Sequence, residues 1–400
     1  MPKFSLPAAL LAFACSSPLS AHAEDRTEAW RLFVADHGEP VIHVLDAADG
    51  TSLGRFDIAG PASLHATTSG ETVFAIQRDH DRVSAISTGI SLDDHGDHGD
   101  LVLSPPRLLE GSLEGGRPVH FVDHSGSVAL FFDGDGIARI VGEDDMRNGD
   151  VTVREVPSGA PHHGVAVPMN GHTLISMPDP ADPADPPVGL RLLDASNAPV
   201  GEPGECPGLH GEAASARLIA FGCENGLLIV REDGAAPTIE HLPYPADFPA
   251  GRVGTLLGGK AMQFFLGNFG GDAVVLIDPD ETEAPFRLVD LPVRRVHFAL
   301  DPVRARFAYI FTEDGVLRRL DVISGTLTDA LPLTEPYSMD GHWSDPRPRV
   351  AVTGDAIVVT DPLAGKLHVV DADSFRARGE IAIEGRPFGI VAVGASGASH

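Results

Sequence analysis

Short apolar runs bounded by turn residues recur along this chain with a period near 45 residues, and that period restricts the fold more than any other feature. The runs include "ETVFAIQR", "SVALFFDG", "AMQFFLGN", "RFAYIFTEDG", "AIVVTDP" and "KLHVVDAD". Each is rich in Val, Ile and Phe and is bounded by Gly, Pro, Asp or Asn, the chemistry of strands and turns. No long stripe of 3.6-residue period follows the N-terminal segment. The runs come in sets of four, as in "VHFALDP", "RFAYIFTEDG", "VLRRLDV" and "GTLTDALPL" from Val296 onward. A repeat of this length with four short strands per unit predicts an all-β, single closed β-propeller.

Inner strands are expected to start near His65, His120, His163, His210, Gly254, His297, His342 and Phe388, at spacings of 55, 43, 47, 44, 43, 45 and 46 residues. That predicts eight four-stranded blades, with seven as the alternative count. The N-terminal "WRLFVADHGEPVIHVLDAADGTSLGRFDI" supplies three outer strands, and "PFGIVAVG" near the other end supplies one inner strand. The N- and C-termini are therefore expected to share one blade, which closes the ring and removes its exposed edges.

Residues 1–23 read as a signal peptide: Lys3 gives the positive start, Leu6 to Ala14 the apolar stretch, and Ala21-His22-Ala23 the small-x-small cleavage pattern. The apolar stretch is too short to span a bilayer. Cleavage after Ala23 and export to a bacterial periplasm are expected, leaving residues 24–400 as one propeller domain. After Ala23 the chain has 28 basic and 57 acidic side chains. Such acidity argues against nucleic acid and anionic membrane surfaces, and it concentrates cations. Cys206 and Cys223 remain, 17 positions apart. In an oxidising compartment they read most simply as a disulfide, with a metal–thiolate pair as the alternative.

Six of the eight inner-strand starts carry histidine: His65, His120, His163, His210, His297 and His342. Histidine makes up 17 of the 377 residues after Ala23, so eight random positions would hold fewer than one. The first residues of propeller inner strands surround one end of the central channel, so these imidazoles should converge on its mouth. A water-filled polar channel is the plain alternative. A divalent ion answers the convergence better, because packed imidazoles repel when protonated and are costly to desolvate. Zinc takes three or four ligands, so the remaining rings would support it or form a second site. His162 and Asp340 lie beside two of these positions.

The hairpins "QRDHDR" (Asp79, His80, Asp81) and "VADHGE" (Asp36, His37) should emerge on the same face. His124 and His172 should lie toward the opposite end, as should the start of "SLDDHGDHGD". That stretch carries Asp93, Asp94, His95, Asp97, His98 and Asp100, with Gly96 and Gly99 as hinges. It reads either as a solvated acidic loop or as a mobile loop that catches metal. His43, His241 and His368 are assigned no role.

No nucleophile elbow, phosphate loop or haem-attachment motif is present. A metal-dependent propeller hydrolase or lactonase is one alternative function, for which Glu114, Asp123 and Asp340 are nominal acid–base groups. A metal-free interaction platform is the other. The exported propeller, the histidine-lined channel and the Asp/His loop together resemble the AztD family of periplasmic zinc metallochaperones, over the whole chain after Ala23. The resemblance implies a monomeric carrier of Zn2+ without catalysis, which hands the ion to the solute-binding protein of a zinc ABC transporter.

Overall fold

Thr72–Gln77, Leu218–Cys223 and Ala356–Asp361 are buried at every position, which a strand achieves only when both its faces are covered. The computed structural model, which describes residues 27–397 apart from 97, 98, 233, 235 and 261, shows what covers them. Eight radial sheets stand side by side, each packed between two neighbours. Between blades 4 and 5, Val165, Leu174 and Leu190 meet Ile219, Phe221 and Leu228. Between blades 2 and 3, Phe74, Ile76 and Val83 meet Val128, Leu130 and Phe132. Outer strands touch solvent and alternate accordingly: in Thr326–Pro332 every second residue is exposed.

The inner strands are Pro387–Ser396, Ser63–Ala66, Pro118–His124, Ala166–Met169, Glu212–Ser215, Leu256–Leu257, Arg295–Leu300 and Val350–Val352, for blades 1 to 8 in order. The count of eight is the one expected. Ring closure is also as expected. Pro387–Ser396 pairs antiparallel along Glu28–Asp36, from Glu28 opposite Ser396 to Asp36 opposite Pro387. Val41–Asp46 and Ser52–Asp57 complete that blade.

Two features refine the sequence reading. The acidic stretch is a hairpin, with Ile90–Asp94 paired to Gly99–Leu103 and Asp93 opposite Asp100. It is inserted between the third and outermost strands of blade 2. The expected inner start at His342 falls in the long connection before blade 8, whose inner strand begins only at Val350. Among the described residues, helix is confined to Glu143–Asn148 and a single turn at Arg78–His80. No helix among the described residues is long and apolar enough to cross a membrane. Residues 1–23, read above as a signal peptide, lie outside the described residues.

Cys206 and Cys223 form a disulfide, with Cα atoms 5.0 Å apart. Both are fully buried in the core between blades 4 and 5. The bridge ties the connection leaving blade 4 to the second strand of blade 5. Four residues past Cys206, the His210 N–H donates to the Gly222 carbonyl at 3.0 Å. A covalent clamp thus anchors a segment that carries one of the channel histidines.

Candidate metal centre

His120 sits on the inner strand of blade 3, while His163 and His210 lie three and two residues before those of blades 4 and 5. Successive blades present successive imidazoles to one wall of a cavity of about 1160 Å³ at the channel mouth. Ring centroids are 4.7 Å apart for His120–His163, 5.4 Å for His163–His210 and 6.2 Å for His120–His210. Three imidazoles on one tetrahedral zinc, with Zn–N near 2.0–2.1 Å, place their centroids about 5 Å apart. The observed separations bracket that value. Among the described residues, no three His, Cys, Asp or Glu side chains already stand in ligating geometry around one point. The cluster converges without being closed.

Each ring is oriented through its Nδ1. His163 Nδ1 donates to Asp133 Oδ2 at 2.7 Å. His210 Nδ1 donates to the Gly254 carbonyl at 2.7 Å. His120 Nδ1 faces Glu212 Oε2 at 3.3 Å. An acceptor at Nδ1 fixes the proton there, which leaves the Nε2 lone pair free; this is the arrangement that prepares histidines for metal. His120 Nε2 and His163 Nε2 then face each other at 3.2 Å. Two lone pairs at that distance repel unless a proton or cation lies between them. The distance matches the edge of a tetrahedral zinc–nitrogen site, roughly 3.3–3.4 Å. The buried Asp133 Oδ1 has no hydrogen-bond partner among the described residues, so this wall also carries uncompensated acceptor capacity.

The electrostatics differ from ring to ring. Burial opposes a charge on His120, but Glu212, with Asp133 behind it, outweighs burial and holds that imidazole above its ordinary 6.5. Burial depresses His210 despite its carbonyl partner, and the charges of His120 and His163 add to the depression. His65, stacked on Phe121 at 5.1 Å, is pushed down to about 4 by burial, which outweighs the pull of Glu212.

No family model matches the chain. A curated relative from Citrobacter koseri, described as the zinc chaperone AztD, is 50% identical over 384 residues, spanning 96% of this chain and 91% of the relative. The chain belongs to the AztD family. The crystal structure of Citrobacter koseri AztD superposes with a TM-score of 0.91 at 50% identity, covering 93% of this chain and all of that one. The apo form of the same protein gives 0.89 at 48% identity, covering 93% and 99%. A dihydro-haem d1 dehydrogenase shares the fold alone, with a TM-score of 0.59 at 15% identity over 90% of this chain and 74% of that one.

In this AztD-family chain the other expected site residues are dispersed. His297 lies across the ring, and its Nδ1 accepts the Val350 N–H at 3.0 Å. His342 is exposed on the connection before blade 8, with Nδ1 2.7 Å from Ser344 Oγ. Asp340 is paired with Arg294 at 2.9 Å. His124, at the other end of its strand, bonds Glu232 at 2.7 Å. His80 lies in the turn Arg78–His80, against Gly60. His95 is 3.3 Å from Asp100 and 3.8 Å from Asp93 on the exposed hairpin, while Asp97 and His98 lie outside the described residues. His162 is buried behind His163 and bonds Ser176 Oγ at 2.8 Å. The nominal acid–base groups are engaged elsewhere: Glu114 with Arg82 at 2.9 Å, and Asp123 with Thr68.

Sequence reading did not find Glu212, Asp133 or the Gly254 carbonyl, the partners that orient the three rings. Glu212 had a signal, lying two residues after His210. Asp133 had a weaker one, the Asp-Gly turn of "FFDGDG".

Proposed function

We propose that this protein is a periplasmic zinc metallochaperone. It holds Zn2+ through Nε2 of His120, His163 and His210 and passes it to the solute-binding protein of a zinc ABC transporter. The observation that carries the ligand assignment is the pair of Nε2 atoms 3.2 Å apart, on rings whose Nδ1 atoms are held by Glu212 and Asp133. Binding draws His210 toward the pair, and the fourth position is left to water or to an incoming ligand. The relative's description as a zinc chaperone supports zinc as the cargo and gives no catalytic role. Export ahead of Glu24 and a monomeric state complete the reading.

The direct test is elemental analysis of protein recovered from the periplasm, together with zinc titration of the stripped protein. One tightly held zinc per chain is expected. Protein that retains no zinc, and whose stripped form shows no saturable binding, would overturn the proposal.

Release requires the carrier's ligands to be replaced one at a time. The hairpin Ile90–Leu103 offers exchange ligands such as His95 and Asp100. A glycine-hinged tip pays ordering entropy whenever it grips an ion, so its contribution lies in exchange and not in storage. Deleting residues 93–100 is expected to leave equilibrium zinc affinity within about threefold, because the triad is untouched. It is expected to slow transfer by about tenfold or more by lowering the effective concentration of exchange ligands. Stopped-flow transfer from loaded carrier to apo solute-binding protein, run beside equilibrium titrations, checks both. Loss of equilibrium binding in the deletion would place the storage site in the hairpin.

A further inference from the structure

The cavity wall facing the histidine triad has the opposite chemistry. His163 and His210 stand three and two residues before the inner strands of blades 4 and 5, and Arg349 stands one residue before that of blade 8. Arg349 lines the same cavity as the triad, and so does His297. The neighbouring arginines are engaged by backbone carbonyls: Arg295 by Ala273 at 3.1 Å, and Arg347 by Ser338, Asp340 and His342 at 2.8–2.9 Å. The Arg349 guanidinium has no hydrogen-bond acceptor and no carboxylate partner among the described residues. It stacks over Phe388, 4.7 Å from the ring centroid. Stacking uses the face of the guanidinium and leaves its in-plane N–H fork unused.

His297 adds a second donor. Its Nδ1 accepts the Val350 N–H, so the neutral ring carries its proton on Nε2, and that N–H also lacks an acceptor among the described residues. A neutral ring in this tautomer has no free lone pair for a metal. The wall therefore presents a planar cationic fork and a neutral N–H, with two more guanidinium groups behind them and no carboxylate paired to the fork. In a chain with a formal charge of −28, a cation left uncompensated inside a channel is unusual.

We propose that Arg349 and His297 form a carboxylate-binding site at the channel mouth, across the ring from the histidine triad. The fork matches two carboxylate oxygens in one plane. A single negative charge balances Arg349, while Asp79 and Asp133 on the same cavity repel more highly charged anions. The carboxylate comes either from a free small acid or from an Asp or Glu side chain on a segment of another protein inserted into the mouth. The site is independent of the zinc reading, and its test uses protein free of metal and chelator.

Sodium acetate in chloride-free buffer is expected to raise the melting temperature of the wild type saturably, and sodium chloride at equal concentration is not. Isothermal titration with acetate gives the affinity. Arg349→Met, which keeps the stem and its packing on Phe388, should weaken acetate binding at least tenfold. Arg349→Lys, which keeps the charge without the fork, should weaken it by a smaller factor and serves as the decisive variant if the Met variant fails to fold. Equal acetate affinity in the wild type and in a folded Arg349 variant, or equal responses to acetate and chloride, would overturn the site. A blocked Gly-Glu-Gly peptide, whose one carboxylate is a side chain, separates the two sources. Binding tenfold tighter than acetate assigns the site to an inserted segment, and weaker binding assigns it to a free acid.

Discussion

On the proposed assignment, in which zinc binds the assembled triad and not the unfolded chain, zinc at a thousandfold excess over its Kd is expected to stabilise the folded ring by about 4.1 kcal/mol. His120→Ala removes one of three nitrogens and should weaken binding by at least about a hundredfold. At the same zinc concentration that leaves about 1.4 kcal/mol of stabilisation. Glu212→Gln and Asp133→Asn keep all three ligands and change only what orients them, so losses of about 10–100-fold are expected. Melting curves of the stripped protein with and without zinc, run beside competition titrations, check the series. If removing His120 costs no more than removing Glu212, the ring is not a ligand.

Acid should erode the zinc increment, and the ring responsible is identifiable. His120 is held above its ordinary 6.5. Its proton therefore stabilises the zinc-free fold below 6.5, and that contribution is lost as pH rises through the higher folded value. Zinc needs the same nitrogen bare. On both counts the increment shrinks toward pH 5. His210, which burial depresses, holds its proton less readily than His120 and competes less. In a His120→Ala variant the remaining increment should therefore depend less on pH.

Replacing both Cys206 and Cys223 by Ala is expected to cost about 3 kcal/mol, the loop-closure entropy of a bridge spanning some 15–20 residues. Denaturant midpoints of the wild type and the double variant measure it. A difference under about 1 kcal/mol would show that packing between blades 4 and 5 holds without the bridge. Because the clamped segment carries His210, zinc affinity should fall in the same variant while His120 and His163 keep their mutual geometry.

The ring itself was legible because blades are built from local hairpins, and a local hairpin leaves its period in the sequence. The histidines of blades 3 to 5 could be placed for the same reason, since their spacing follows the repeat. The reading slipped at His342. There the 17 residues between Pro332 and Val350 break the count, and Arg349, with no histidine to mark it, takes the inner position. The orienting partners were not legible in the same way. Asp133 and Glu212 reach rings on other blades, 30 and 92 residues away in the chain. No short-range pattern encodes such a pairing; it appears once the blades stand side by side. The hairpin Ile90–Leu103 was half legible, since its charge was plain and its pairing was hidden by side chains that favour neither strand face.

Pairing Glu28–Asp36 with Pro387–Ser396 also imposes a schedule. A chain made from its N-terminus holds three of this blade's four strands idle until residues 387–396 have been made. Until then the other blades stand in an open arc with two bare edges and no enclosed channel. A product interrupted before that point has His120, His163 and His210 but not the ring that holds them to a common centre. On the proposed function, such a product lacks the enclosed mouth in which the ion would be held.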